Sequence, residues 1–126
     1  MALDYANVLK ALNVHFEVIG RGESSATAFT SAVEMNVSTG GIGFALKTRP
    51  APKIAIVAVG VEQLATVTTQ LIESGTRSIL LEKPGGLNLD QICKLNDLAS
   101  VTKTEVWIAY NRRFYASVLK AEELIA

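Results

Sequence analysis

The sequence predicts an α/β protein with a doubly wound parallel sheet and helices on both faces. Two runs carry this prediction, residues 53–59 and 78–81, because each is apolar at three or more consecutive positions. Strands that are apolar on both faces are typical of parallel sheets covered by helices on each side. A helical pattern follows each run, and strands that alternate with helices pair in parallel through right-handed crossovers.

The remaining elements follow in order along the chain. The pattern predicts a helix ended by Asn13, strands at 15–19 and 105–110, and helices at 26–35, 62–74, from Asn88, and from about Phe114 to the end. Ser24 or Ser25 is expected to cap the second helix, Gly75 to end the third, and Asn88 with Gln91 to form a capping box. Residues 38–43 are glycine-rich and indicate at most a short edge strand at 42–45.

Apolar spacing along the helices predicts which side chains are buried. The third helix is expected to bury Leu64, Val67, Thr68, Leu71 and Ile72, and the fourth Leu89, Ile92 and Leu95. Cys93, within the fourth helix, is expected to be a small buried apolar residue. Trp107 and Tyr110 are expected in the core or on the sheet surface.

Composition excludes several classes of protein. The chain has 126 residues, which predicts one domain over 1–126, and its twelve basic and twelve acidic residues give a net charge of +0. Without a basic patch, nucleic acid is not an expected partner. One cysteine and one histidine provide neither an internal disulfide nor a metal site. With no apolar run of membrane-spanning length and no leader pattern, we expect no membrane contact and a cytoplasmic location.

The predicted order of elements is incomplete. A doubly wound sheet of strand order 3-2-1-4-5-6 begins with a central strand and a glycine-rich turn, whereas this chain starts at the first helix. No G-x-G-x-x-G occurs in it. We therefore expect a fragment of a longer protein, or a product with a misplaced start; the alternative is a smaller sheet on which the first helix packs. The hydrophobic fraction of 49% also indicates apolar faces that another part would cover.

Charged and flexible residues stand where the predicted strands end. Glu82 and Lys83 follow the strand at 78–81, Gly60 follows the strand at 53–59, and Arg21 follows the strand at 15–19. Because open α/β sheets bind ligands at the carboxyl ends of their strands, these residues are the first candidates for a site. Each also has an ordinary explanation as a solvated strand end or a terminator, and Glu82 could be a surface carboxylate.

Three segments give the chain a resemblance to a known family: Ile-Ala-Ile-Val-Ala at 54–58, Leu-Glu-Lys-Pro at 81–84 and Ala-Tyr-Asn-Arg-Arg-Phe at 109–114. They resemble the N-terminal domain of the glucose–fructose oxidoreductase/inositol dehydrogenase (Gfo/Idh/MocA) family. The resemblance implies a Rossmann fold, NAD or NADP, and hydride transfer at a hydroxyl carbon of a sugar, polyol or related compound. The family's first strand and its second domain, which binds substrate and mediates oligomers, are absent. The resemblance leaves a homo-oligomer open.

The resemblance also implies roles for individual residues. Lys83 is the catalytic candidate, since an ammonium beside a nicotinamide ring can hold the ribose and the substrate hydroxyl and assist proton release. Glu82 would orient Lys83 or contact the ribose, and Pro84 would follow a cis peptide bond. The remaining cofactor-binding candidates are Ala2, Arg21, Ser24, Val59, Gly60, Gln63, Asn111 and Arg113. No metal ligand is expected.

Arg21 and Glu23 bear on the choice of cofactor. A guanidinium suits the 2′-phosphate of NADP, and Ser24 and Ser25 could add hydroxyls, so NADP is favoured over NAD. Glu23 weakens this prediction because it could accept a bond from a ribose hydroxyl instead. Two functions are left open: the cofactor-binding part of an NAD(P)-dependent oxidoreductase, inactive as this chain alone, or a truncated module with a structural or partner-binding role. A flavodoxin-like receiver is a weaker alternative, because acidic residues do not cluster at the strand ends.

Overall fold

A computed structural model describes residues 1–125, in which helices alternate with short strands. The helices are α1 (Ala2–Ala11), α2 (Glu23–Val33), α3 (Gly41–Thr48), α4 (Val61–Glu73), α5 (Leu89–Thr102) and α6 (Ala116–Ile125). The strands are β1 (Val18–Ile19), β2 (Val37–Ser38), β3 (Ile54–Val57), β4 (Ser78–Leu81) and β5 (Glu105–Ile108), and a 3₁₀ turn spans Asn111–Phe114. The α/β class predicted from the sequence is confirmed.

All strand pairs are parallel, and they form two separate sheets. One sheet holds β1 beside β2, and the other has the order β3-β4-β5. In the larger sheet Val57 lies opposite Leu81, which in turn lies opposite Ile108. Crossover helices α4 and α5 join successive strands of this sheet, as parallel pairing requires.

The two sheets together match a doubly wound sheet from which one strand is left out. In the order 3-2-1-4-5-6, the strands β2, β1, β3, β4 and β5 take every position except the one labelled 1. That position lies between β1 and β3, and no strand of residues 1–125 occupies it. The incomplete sheet expected from the sequence is therefore confirmed.

Helices on both faces connect the two sheets. On one face α3 begins where Gly41 N–H donates to the carbonyl of Gly20, after β1, and ends where Arg49 pairs with Glu17, before β1. This helix also packs on α4, which covers β3 and β4. On the other face α1 packs on α2, and Tyr5 reaches the exit of β4.

The main core lies between the larger sheet and α4 and α5. Its buried members are Val57, Leu64, Leu71, Ile72, Ile79, Leu81 and Leu95. The predicted apolar face of α4 is thus confirmed, with Thr68 buried as well and its hydroxyl donating to the Leu64 carbonyl at 2.7 Å. The opposite face of the larger sheet is open at its edge, where Trp107 is 64% exposed. Of the core and sheet-surface positions that the sequence predicts for Trp107, the structure shows the sheet surface.

Several local predictions are wrong. The glycine-rich segment after residue 38 is not an edge strand but helix α3, and the short strand β2 precedes it. Gly40 and Gly41 have φ values of 96° and 76°, so they turn the chain sharply, and the helix that follows buries Ala45. These two glycines therefore form the start of the helix.

Burial and capping also differ from expectation at three places. Leu89 is 74% exposed because it opens α5 on the solvent side, and Cys93 is exposed rather than buried. Neither serine caps α2: Gly22 is the N-cap, and the hydroxyl of Ser25 donates to the Gly22 carbonyl. Asn88 does cap α5, since its side chain accepts from the Gln91 N–H at 3.0 Å.

Candidate functional site at the carboxyl edge

The candidate residues lie at the carboxyl ends of the strands, along one edge of each sheet. Because β3, β4 and β5 are parallel, the segments that follow them leave the sheet on the same side. Those segments contain Val59, Gly60 and Gln63, then Glu82, Lys83 and Pro84, then Asn111 and Arg113. Arg21 follows β1, Ser24 lies in the first turn of α2, and Ala2 is the first residue of α1.

A tight turn follows β4 and presents Lys83. The Gly85 N–H donates to the Glu82 carbonyl at 3.0 Å, which closes the turn, and the peptide bond between Lys83 and Pro84 is cis, as the resemblance implies. Gly85 has a φ of 89°, a left-handed conformation that favours glycine. The Lys83 side chain is exposed at this turn, so its ammonium is free to meet a ligand.

Glu82 is buried beneath this turn and is held by α1. Only 6% of it is exposed, yet both carboxylate oxygens have a donor. The Tyr5 hydroxyl donates to Oε1 at 2.7 Å, and the Lys83 N–H donates to Oε2 at 3.2 Å. Burial, together with the bond to Glu82 and the charge of that carboxylate, raises the pKa of Tyr5 to about 12. The Glu82 carboxylate thus links helix α1, through Tyr5, to the backbone of Lys83 in the turn.

Tyr5 is the residue of this site that sequence reasoning missed. The sequence alone assigns Tyr5 to no site, and its partner Glu82 lies 77 positions away along the chain. A signal was present in the residue type, because a tyrosine on an apolar stripe usually brings its hydroxyl to a partner when buried. Nothing in the sequence named that partner.

The segment after β1 is hydrogen-bonded through its backbone to the segment after β2. Gly40 N–H donates to the Arg21 carbonyl at 3.4 Å, and the Arg21 side chain is exposed. The Glu23 carboxylate accepts a bond from the Thr39 hydroxyl at 2.8 Å, so this acid is engaged with the β2 exit. Arg21 lies just before the start of α2, and the positive end of that helix dipole also favours an anion there.

The exits of β3 and β5 complete the edge. After β3, the Gly60 carbonyl accepts from the Gln63 N–H at 2.8 Å as α4 begins, and a side chain at Gly60 would approach the Glu62 carboxylate at 3.0 Å. After β5, Asn111 and Arg113 lie in the exposed 3₁₀ turn, where the Arg113 guanidinium stacks over Phe114 at 5.5 Å from the ring centre.

One cavity lies beside the larger sheet, away from the candidate residues. A cleft of about 450 Å³ runs between α5 and β5, with Leu95, Asn96 and Val106 in its walls. It approaches the candidate site only where Leu81 and Gly85 contribute to its lining. We place the site at the carboxyl edge because the charged side chains are there. Residues 1–125 contain no cluster of three or more metal-ligating side chains, and none of their helices has the length and apolarity needed to cross a membrane.

Solved structures with a similar fold include several oxidoreductases. The WlbA dehydrogenase of Chromobacterium violaceum, solved with NADH and UDP-GlcNAcA, superposes with a TM-score of 0.83 at 14% identity over 97% of this chain and 35% of its own. YvaA of Bacillus subtilis, assigned as an oxidoreductase, gives 0.78 at 18% identity over 98% of this chain and 36% of its own. An NAD-binding oxidoreductase of Klebsiella pneumoniae gives 0.70 at 17% identity over 89% and 30%.

These likenesses show the fold, and the chain spans about a third of the length of each of these structures. No protein-family model matches the sequence, and no curated protein matches it.

Proposed function

We propose that this chain is the nicotinamide-dinucleotide-binding part of an oxidoreductase of the Gfo/Idh/MocA type, which acts on a hydroxyl carbon of a sugar, polyol or related compound. The observation that carries the proposal is Lys83, exposed on a turn at the carboxyl end of a parallel strand and backed by a buried carboxylate. Ligands of doubly wound sheets bind at that edge. The likeness to dehydrogenase structures, one of them solved with NADH, supports the same conclusion.

In this function the cofactor supplies hydride transfer, and the residues of the chain bind and orient. Lys83 would donate a hydrogen bond to the substrate hydroxyl, and its positive charge would ease release of the hydroxyl proton, a task that suits an ammonium within hydrogen-bond reach. Glu82 would fix the backbone of Lys83 through the N–H bond already described. Gly60 would allow close approach of the cofactor's backbone, with Ala2, Val59 and Gln63 beside it. Asn111, Arg113 and Pro84 would border the nicotinamide side.

NADP is the proposed cofactor. Arg21 is exposed at the exit of β1, and its guanidinium can fork onto a 2′-phosphate that carries close to two negative charges. The acid that argued against this choice, Glu23, has its carboxylate engaged by Thr39. Ser24 lies in the first turn of α2 and could add a hydroxyl.

Titration of NADPH and NADH tests the cofactor proposal. In the complete oxidoreductase we expect NADPH to bind about tenfold more tightly than NADH, about 1.4 kcal/mol. Arg21→Ala should remove most of that preference and leave NADH affinity nearly unchanged. Arg77→Ala is the matched control, since Arg77 is exposed at the start of β4, on the opposite edge of the sheet. Equal affinities for the two cofactors, or a preference that survives Arg21→Ala, would contradict the role of Arg21.

Turnover tests the catalytic proposal. Lys83→Ala in the complete enzyme should lower kcat by about a hundredfold or more while cofactor affinity changes little, as expected for a group that aids proton transfer. Lys53→Ala is the control, because Lys53 is exposed just before β3 on the amino edge. A Lys83→Ala enzyme within about twofold of the original would remove Lys83 from the catalytic role.

A non-catalytic module is the second candidate, and the split sheet favours it for this chain alone. Among residues 1–125 no strand precedes α1, so they do not include the glycine turn that would lead from such a strand into α1 and bind a pyrophosphate. On either candidate we expect this chain by itself to reduce neither NAD nor NADP with a panel of polyols. Turnover by the isolated chain would refute that expectation.

A further inference from the structure

The backbone of the sheet holds the chain only as far as Glu82, the residue before Lys83. The Glu82 N–H donates to the Val57 carbonyl of β3 at 2.9 Å, which continues the ladder between β3 and β4. Lys83 follows where the chain leaves the sheet, and its N–H donates to Oε2 of the Glu82 side chain at 3.2 Å. The backbone of Lys83 is therefore held by a side chain and not by a neighbouring strand.

The orientation of the Glu82 carboxylate decides whether it can hold Lys83. A distance of 3.2 Å is at the long end for an N–H···O bond, whereas the 2.7 Å from the Tyr5 hydroxyl to Oε1 is ordinary for an O–H donor. A hydrogen bond to an ionised acceptor is also stronger than one between neutral groups. A carboxylate held at both oxygens has one orientation, whereas a carboxylate held only by the longer bond can rotate away from Lys83.

The Tyr5 hydroxyl is well suited to this task. Within residues 1–125, the Glu82 carboxylate has two hydrogen-bond donors, Tyr5 and the Lys83 N–H, and no ion-pair partner. Glu82 is only 6% exposed, so water has little access to replace either donor. Burial first, and then the bond to Glu82 and its charge, raises the pKa of Tyr5 to about 12, so the hydroxyl keeps its proton at neutral pH.

Helix α1 determines where the Tyr5 ring lies. The helix packs on α2, and near its end the Lys10 ammonium donates to the Val33 carbonyl of α2 at 2.7 Å. Ala6, next to Tyr5 in the chain, is buried and 3% exposed. The helix is thus attached to α2 at one place and to the exit of β4 at another, and Tyr5 makes the second attachment.

We infer that Tyr5 is a positioning residue: its hydroxyl orients the Glu82 carboxylate, and that carboxylate holds the backbone from which the Lys83 ammonium reaches a substrate. The inference rests on the proposed function of Lys83. It adds a control of the site by helix α1, because a displacement of α1 is passed to Lys83 through two consecutive hydrogen bonds. Tyr5 itself touches neither substrate nor cofactor in this role.

Amide hydrogen exchange in this chain tests the hydrogen-bond part of the inference without any cofactor. In Tyr5→Phe the N–H of Lys83 should exchange about tenfold faster than in the original chain, because its acceptor is free to rotate. The N–H of Glu82 is the internal control, since its acceptor is the Val57 carbonyl and a general loss of stability would affect both groups. Lys10→Met is the matched variant: it removes the bond from α1 to α2 and keeps Tyr5.

A double-mutant cycle in the complete oxidoreductase tests the catalytic part. Tyr5→Phe should lower kcat by about tenfold and leave cofactor affinity unchanged, because a small misplacement of a reacting group is costly. In a Lys83→Ala background, Tyr5→Phe should lower kcat by less than about twofold, since it acts through the residue already removed. Lys10→Met should keep kcat within about twofold of the original enzyme. If Tyr5→Phe does not fold, Glu82→Gln takes its place in the cycle, because the amide group of glutamine cannot accept from both donors.

Two outcomes would overturn the inference. The first is exchange at the Lys83 N–H that is equal in Tyr5→Phe and the original chain. The second is an equal loss of kcat from Tyr5→Phe with and without Lys83, which would mean that Tyr5 only stabilises the fold. An unchanged kcat in Lys83→Ala would instead overturn the proposed function, and with it any effect of Tyr5 on turnover, while the exchange measurement at Lys83 would keep its meaning.

Discussion

Removal of the Tyr5 hydroxyl is the perturbation whose effect can be worked out most fully from the structure. Tyr5→Phe keeps the ring but leaves Oε1 of Glu82 without its donor at 2.7 Å, and only the Lys83 N–H at 3.2 Å then serves the carboxylate. Glu82 is 6% exposed, so water replaces the lost donor poorly. A hydrogen bond to a charged group contributes about 1.5 to 3 kcal/mol. Tyr5 itself is only partly buried, so we expect a loss of about 1.5 to 2 kcal/mol in the free energy of unfolding.

The same bond predicts a dependence on pH. Burial, then the bond to Glu82 and its negative charge, raises the pKa of Tyr5 in the folded chain to about 12, whereas tyrosine in an unfolded chain titrates near 10. Because the folded pKa is the higher one, the stabilisation is present in full below pH 10 and is lost as the pH rises from about 10 to 12. The difference in stability between the original chain and Tyr5→Phe should shrink over that interval.

Urea unfolding at pH 7.5 and at a series of values up to pH 12 measures both effects. Tyr115→Phe is the control, because Tyr115 is exposed and its hydroxyl has no hydrogen-bond partner among residues 1–125. The control also accounts for lysines that titrate in the same range. A Tyr5→Phe chain within about 0.3 kcal/mol of the original at pH 7.5, or a difference that persists unchanged to pH 12, would refute the reasoning.

Two further substitutions test the turn after β4 and the start of α5. Gly85→Ala should lower the free energy of unfolding, measured by heat or urea, by about 1 kcal/mol more than Gly75→Ala does. Both glycines have positive φ. A Cβ at Gly85 would lie 2.7 Å from Cδ1 of Ile108, whereas a Cβ at Gly75 would meet nothing within 4 Å. Equal losses would show that the space beside Gly85 is not tight. Asn88→Ala should cost about 1 kcal/mol through loss of the N-cap bond to Gln91, while Asn96→Ala, exposed in the same helix, should cost less than half of that. A circular-dichroism melt in which the two asparagine variants coincide would contradict the capping role.

The part of the fold that the sequence predicts well is the part held by local patterns. Strands β3 and β4 and the buried face of α4 follow from apolar runs and from spacing in the chain, and the N-cap at Asn88 follows from its residue type. The return bond of the predicted capping box differs, because the Gln91 side chain accepts from the Leu87 N–H rather than from that of Asn88. The split in the sheet could also be predicted, because a missing element shows in the order of those that remain. These features need no knowledge of distant contacts.

The features that the sequence did not predict depend on tertiary contacts. Helix α3 has two glycines within its eight residues, which lowers its intrinsic propensity, and it is a helix because Ala45 packs inward while its flank lies against α4. Cys93 lies on the outer side of α5, a choice of face that a short apolar repeat leaves ambiguous. For the candidate site, strand ends located Lys83 and Arg21, whereas the bond from Tyr5 to Glu82 joins residues far apart in the chain.

The separation of the two sheets has a consequence for the order in which the chain folds. Strands β3, β4 and β5 with helices α4 and α5 form a contiguous βαβαβ unit, in which every ladder joins neighbouring strands and which contains the main core. Contacts that are local in sequence close small loops and form fast. Docking of α1 must instead close a loop of 77 positions between Tyr5 and Glu82 with little apolar burial as compensation. We therefore expect the βαβαβ unit to form the folding nucleus and α1 to dock late. Substitutions in α1 should then mainly raise the unfolding rate, whereas substitutions in the main core should lower the folding rate.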